Sequence, residues 1–353
     1  MVIEYTNNAV FGVIDQQAMD ELNTNIGDIL TLAIEHKASH QALVVHDTRS
    51  DLACALTAAY RRNIPDARFV DFDSVSPEQV HEAFNRMQAG DLVVLVQTSN
   101  FRMDAFRIRV ELFKRGLKVI EHVHLNRLPD LQPLDYIKSL AYDPAYYRNT
   151  GRALKARIDR TQSAMIDSGG VQLHFTAPFE PAKLNVGDYS ELNNVGGQFP
   201  IGEVFTETRD FSAVNGKVRI FVFGDSHFMV NRPDKPITLT VNKSRVVEVI
   251  DSTPAFDEMM EMIRRDEGEI WLREIGFGLN RAFTKDRLVN DIGTYERMCG
   301  IHLSLGAKHG VYSKAEIKRK DAKYHIDVFA VTESVQLDGI PVYLAGQWVI
   351  DNI

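Results

Sequence analysis

The 353-residue sequence predicts a two-domain protein: an α/β, Rossmann-like first domain on a parallel sheet (residues 1–150), then an α+β, β-rich second domain (residues 151–353). Two observations predict this. Over the first 150 residues, short β-branched runs alternate with amphipathic helical stretches, the spacing of strand–crossover–strand units. After Gly169 and Gly170 the chain changes to successive β-rich runs separated by turn residues, which is antiparallel in character.

In order along the first domain, residues 42–46 (ALVVH) read as a strand and 50–62 as a helix with Pro65 beyond its end. Residues 67–72 form the next strand, and Ser76-Pro77 opens a helix, since proline suits the first helical turn. The run 91–97 (DLVVLVQ) is apolar throughout, as in a strand buried on both faces. An amphipathic helix over 103–114 stops at Gly116, and 117–121 is a strand. A long helix over 143–165 joins the halves. Strands then fall at 171–176, 217–223, 237–241, 245–250, 269–275, 301–305, 325–331 and 342–349, interrupted by a helix at 254–265.

Composition narrows the function classes. A formal charge of -8 argues against nucleic acid as a partner. The basic stretch Lys314 to Lys323 contains Glu316 and Asp321 and reads as a solvated face. Cys54 and Cys299 lie far apart, outside any zinc spacing, which fits a reducing compartment. No apolar run approaches the roughly 20 residues of a membrane span, and the residues after Met1 lack the form of a secretion signal. A cytoplasmic location is the expectation. The first domain has neither GxGxxG nor a Walker-type GK[ST], so its topology licenses no nucleotide site. His46, Asp47, His122 and His124 sit at its strand ends, as loop residues, satisfied core residues or ligand contacts.

Four segments of the second domain could carry chemistry. In YHIDVF, His325 and Asp327 share one face of a strand, because strand side chains alternate with period two. In GIHLSLGAKHG, His302 sits amid apolar residues and a glycine turn then presents Lys308 and His309. Together these segments supply two imidazoles and a carboxylate, a minimal facial set for zinc or non-haem iron. In REIGFGLN, Glu274 lies within an apolar strand and needs a partner: Arg273, Arg281 or a cation. In GGQFPIGEVFTE, glycines and Pro200 crowd around Glu203. These four make the second domain a candidate metal-binding domain.

In this order, PIGEVFTE, REIGFGLN, GIHLSLG and YHIDVF resemble the blocks of the aminopeptidase T family, the thermophilic metallo-aminopeptidases, over roughly residues 130–353. The resemblance implies that Glu203, Glu274, His302, His325 and Asp327 ligate a two-metal centre, that the chain forms a homodimer, and that the substrate is a small peptide or amide. The family places a tyrosine ligand a few residues after the strand histidine. Here His309 stands at that spacing, with Tyr312 next; either replaces the tyrosine, or the second metal is weak or absent.

In this hydrolase reading divalent zinc, cobalt or manganese activates a water, Glu203 or Glu274 bridges or acts as base, and Lys308 or His309 steadies the oxyanion. The chain also resembles 2,5-dihydroxypyridine dioxygenase, of the same fold, in length and in its HxD block. On that resemblance His302, His325 and Asp327 hold iron(II) for cleavage of a hydroxylated ring. His309 then shuttles protons, and Lys308 or Arg281 binds a substrate anion. A third reading is a catalytically silent metal-binding protein.

Overall fold

The computed structural model describes residues 11–103, 107–318 and 320–350. The chain forms two compact units rather than two consecutive halves. The first holds the chain as far as Pro144 together with Gly187–Ile201; the second holds Ala145–Val186 and Gly202–Ile353. In place of a single cut after residue 150, the chain leaves the first unit, returns to it for fifteen residues, and leaves again.

In the first unit the elements run α1 (Gln16–Asp28), β1 (Ala42–His46), α2 (Asp51–Asn63), β2 (Arg68–Asp71), α3 (Pro77–Asn85), β3 (Leu92–Val96), α4 (Ile108–Lys114), β4 (Lys118–His122) and α5 (Gln132–Ser139). The helices begin where side chains satisfy otherwise unbonded amides: Asp15 accepts from Ala18 N, Ser50 from Ala53 N, and Ser76 with Gln79 forms a capping box. The strands pair in parallel in the order β2-β1-β3-β4. Every residue of β3 is buried, as its unbroken apolar run predicts. Of the helix expected over 103–114, only α4 forms among the described residues, and 104–106 lie outside them.

The second unit opens with α6 (Pro144–Ile158), β5 (Ala164–Asp167), β6 (Gln172–Phe175) and β7 (Lys183–Asn185). The helix expected to continue to residue 165 stops at Ile158. The Asp338 carboxylate accepts from the amides of Gln162 and Ser163, both at 2.9 Å, and turns the chain into β5. Strand β8 (Gly196–Gln198) belongs to the first unit and extends its sheet parallel to β4.

The second unit resumes with β9 (Glu203–Glu207), β10 (Val214–Gly224), β11 (Val230–Asn231), β12 (Ile237–Asn242) and β13 (Arg245–Ile250). There follow α7 (Pro254–Glu267), β14 (Leu272–Gly278), α8 (Ile292–Tyr295), β15 (Gly300–Leu305) and β16 (Ile326–Ala330). Last come β17 (Ser334–Leu337), β18 (Ile340–Leu344) and β19 (Gln347–Trp348). All these strands, with β5 to β7, join one large antiparallel sheet. The single strand expected over 342–349 is a hairpin, β18 and β19, because Ala345 and Gly346 both adopt positive φ (48° and 90°) and reverse the chain. No helix among the described residues is long and apolar enough to cross a membrane.

The strand-end residues of the first unit have separate fates. Asp47 is buried and accepts from Thr98 N (2.8 Å), the Thr98 hydroxyl (2.5 Å) and Arg49 N (3.1 Å). His46 packs edge-on to Phe69. His122 is fully buried between two phenols, Tyr60 on Nε2 and Tyr136 on Nδ1, each at 2.8 Å. Tyr136 donates to the Phe199 carbonyl, so His122 Nδ1 carries the proton and Nε2 accepts from Tyr60.

Burial lowers the His122 pKa to about 3. The folded chain therefore holds this ring neutral, while the unfolded chain protonates it near pH 6.5. The resulting stability is complete above about pH 6.5 and drains at about 1.4 kcal/mol per pH unit as pH falls toward 3. Denaturant melts of the parent and of His122→Gln between pH 4 and 8 are expected to show the steeper acid loss in the parent; equal slopes contradict this.

Candidate metal centre

Four adjacent strands, β9, β14, β15 and β16, present the site. Register pairs Glu203 with Gly278, Phe205 with Gly276 and Glu207 with Glu274 across β9 and β14. It pairs Gly276 with His302 across β14 and β15, and His302 with Phe329 and Ser304 with Asp327 across β15 and β16. Cross-strand partners share a face, so Glu203, Glu274, His302 and Asp327 project together. His325, two residues before Asp327, joins them by the period of two.

Glycine makes this geometry possible. A Cβ on Gly276 would lie 1.9 Å from His302 Cε1 and 2.1 Å from Nε2, so the imidazole lies across bare β14 backbone toward Glu203 and Glu274. Gly202 sets Glu203 at the head of β9. Its φ of 122° suits only glycine, and a Cβ there would meet Tyr147 at 2.7 Å. A bulge in β14 between Leu272 and Ile275 is tied down by the Glu274 amide, which donates to the Ser304 hydroxyl at 3.0 Å.

Two triads converge. Glu203, Glu274 and His302 each offer an atom within 4.8 Å of the others, and so do Glu274, His325 and Asp327; Glu274 belongs to both. His302 Nε2 is 3.2 Å from Glu203 Oε1 and 3.7 Å from Glu274 Oε1, while His325 Nε2 is 3.8 Å from Glu274 Oε1 and 3.3 Å from Asp327 Oδ1. All but His325 are buried, and the His325 side chain is 29% exposed.

Charge dominates the cluster. Burial opposes protonation of His302, but Glu203 and Glu274 reverse this and hold its pKa well above the ordinary value. Burial likewise opposes charge on His325, and Asp327 with Glu274 lifts it to about 10. Burial alone would raise Glu274, yet His302, His309 and His325 hold it far below the usual carboxylate range.

Both ring nitrogens of His302, Nε2 of His309 and Oδ1 of Asp327 are buried without a hydrogen bond. The imidazole–carboxylate pairs lie 3.2–3.8 Å apart, close enough for each charge to act on its neighbours. Buried polar atoms without partners, converging from carboxylates and imidazoles, form the donor set that a divalent cation satisfies.

His325 Nδ1 lies 3.2 Å from the Lys308 carbonyl, which takes its N–H and leaves Nε2 facing Asp327 and Glu274. Lys308 thus contributes its carbonyl here, and its side chain is exposed. His309 Nε2 is 2.8 Å from Glu274 Oε2, and its Nδ1 accepts from Val311 N (3.0 Å) and Tyr312 N (3.2 Å). Those two amides fix the neutral tautomer with the proton on Nε2. The Tyr312 hydroxyl donates to the Pro181 carbonyl at 2.7 Å, its ring packs against His309, and burial with Glu274 pushes its pKa up to about 12.

The cationic partners proposed for Glu274 are engaged elsewhere. Arg273 forks onto Glu207 at 2.6 and 2.9 Å, and Arg281 stacks over the Tyr146 ring. Lys314, read from sequence as solvated, is buried against Glu180 at 2.7 Å. Sequence reasoning missed Arg297, a buried guanidinium 3.1 Å from Glu203 Oε2 and also paired with Glu296. Burial, with Glu203 and Asp327 nearby, pushes Glu296 to about 8 against the pull of Arg297. These two residues lie in the loop between α8 and β15, where no periodicity marks them; their only signal was an adjacent acid and base before an apolar strand.

No family model and no curated protein matches the chain. Solved structures do. The 2,5-dihydroxypyridine dioxygenase of Pseudomonas putida KT2440 superposes with a TM-score of 0.64 at 17% identity, over 94% of this chain and 97% of that one. Aminopeptidase T (AmpT) of Thermus thermophilus superposes at 0.58 and 12% identity, over 94% and 99%. Across nearly its whole length, then, the chain shares its fold with an aminopeptidase and with a dioxygenase.

Proposed function

We propose that the chain is a metal-dependent hydrolase that cleaves a small peptide or amide. One observation carries this reading: Glu274 belongs to both triads, so one carboxylate would serve two neighbouring cation positions. A bound divalent cation supplies a Lewis acid and a water acidic enough to attack at neutral pH. Glu203, Glu274, His302, His325 and Asp327 would hold the cations.

The protein's own groups do the rest. Arg297 orients Glu203 and offsets the negative charge gathered by three carboxylates. The Lys308 carbonyl fixes the His325 tautomer. His309, its Nδ1 held by two amides, keeps Nε2 2.8 Å from Glu274 Oε2 and so positions that carboxylate. Tyr312, anchored on Pro181, holds the His309 ring from one side.

The test is hydrolysis of dipeptides and aminoacyl amides by the full chain loaded with zinc, cobalt or manganese. Release of the amine, abolished by a chelator and restored by metal, is expected. Absence of cleavage with every metal, or oxygen consumption with a dihydroxylated heteroaromatic on ferrous loading, contradicts the proposal.

A further inference from the structure

The turn that brings His309 to the metal centre is gripped by a buried ion pair. Arg273 on β14 and Glu207 on β9 are both buried. Arg273 Nε and Nη2 fork onto the two Glu207 oxygens at 2.6 and 2.9 Å. The same guanidinium reaches further: Nη1 donates to the Ala307 carbonyl, and Nη2 to the Tyr312 carbonyl at 3.2 Å. Those two carbonyls bracket Lys308 and His309. An interior ion pair forfeits its solvation, and apolar side chains often serve stability as well. Fold stability alone therefore explains poorly why one guanidinium converges on this turn.

The turn delivers two contacts to the metal centre. The Lys308 carbonyl lies 3.2 Å from His325 Nδ1, and His309 Nε2 lies 2.8 Å from Glu274 Oε2. Tyr312 links them to the ion pair: Arg273 holds its carbonyl, and its amide donates to His309 Nδ1 at 3.2 Å. The stems of the segment between β15 and β16 have a separate anchor. Glu267, at the end of α7, accepts from the amides of Ala307 (2.7 Å), Lys323 (2.6 Å) and Tyr324 (2.8 Å). Lys308 N also donates to the Tyr324 carbonyl at 2.9 Å. The stems are thus fixed without Arg273, and what the guanidinium adds is the path of the turn over 307–312.

We propose that Arg273 and Glu207 are positioning residues of the metal centre. The pair sets the turn, and through it the approach of His309 to Glu274 and of the Lys308 carbonyl to His325. Arginine suits the task because its planar fork holds a carboxylate and still donates to two carbonyls; a lysine ammonium is a point charge on a flexible stem. The inference rests on the hydrolase reading only for its consequence, tighter metal binding. The placement of the turn is measured without metal.

The full chain, labelled with nitrogen-15 at histidine and freed of metal, is examined by nuclear magnetic resonance, with His309→Gln identifying the His309 signals. The parent is expected to show one neutral His309 ring with its proton on Nε2. Arg273→Met with Glu207→Leu replaces the ion pair by apolar side chains, a change that buried pairs tolerate. This variant is expected to show a His309 ring averaged between tautomers, and calorimetric titration with zinc should give affinity at least tenfold weaker than the parent's. Arg273→Lys is expected to show both effects in part, and it decides the matter if circular dichroism finds the double variant unfolded. An averaged ring already in the parent, or a parent-like ring in every folded variant, would overturn the proposal. A parent that binds no zinc would count against the hydrolase reading and leave the His309 signals to judge the positioning role.

Discussion

Replacing Gly276 by alanine is expected to disable the metal centre although it adds one methyl group to a residue that is no ligand. The new carbon would overlap the His302 ring at 1.9–2.1 Å, and the contact cannot relax cheaply. The ring is fully buried against Phe329, and β14 is clamped between β9 and β15. The imidazole must leave the space over Gly276, taking its nitrogen away from Glu203 and Glu274. Metal affinity and hydrolysis should fall by about 100-fold or more, the scale of lost ligand orientation. Overpacking should cost about 1–3 kcal/mol of stability. Isothermal titration with metal and a thermal melt check both effects. A Gly276→Ala chain that binds metal like the parent would show that His302 does not depend on the bare backbone.

Glu274→Ala is expected to be the most damaging single substitution at the site, because this side chain alone belongs to both triads. Its loss should lower hydrolysis more than about 100-fold, beyond what removal of a supporting residue costs. It should also weaken binding at both positions together. Glu203→Ala and Asp327→Ala each touch one triad and should spare the other. Metal titration of the three variants compares them. Equal, partial losses in all three would mean that Glu274 has no shared role.

Much of this site was legible in the sequence, for a physical reason. A histidine or carboxylate inside an apolar strand is expensive unless something satisfies it, so Glu274 in IWLREIGFG and His302 in GIHLSLG stood out against their neighbours. Period two then put His325 beside Asp327 without further information. What lay hidden was non-local. The placing of Arg297 on Glu203 depends on a loop without periodicity. Arg273 was a plausible partner for Glu274 by adjacency, yet at the β14 bulge its guanidinium forks onto Glu207 instead.

The fold followed the same division. The parallel strands of the first unit were plain from their unbroken apolar runs. The return of residues 187–201 to that unit rests on β8, three residues of Gly-Gly-Gln that carry no strand signature. Short strands such as β7, β11 and β19 are set by their neighbours rather than by their own composition.

Counting the bound metal tests the central claim most directly. The full chain, loaded with zinc, cobalt or manganese and desalted, is analysed for metal per chain, and its crystals are measured at the absorption edge of that metal. Two cations per chain are predicted, with anomalous peaks on either side of Glu274. A single cation, or none within reach of Glu274, would contradict the account.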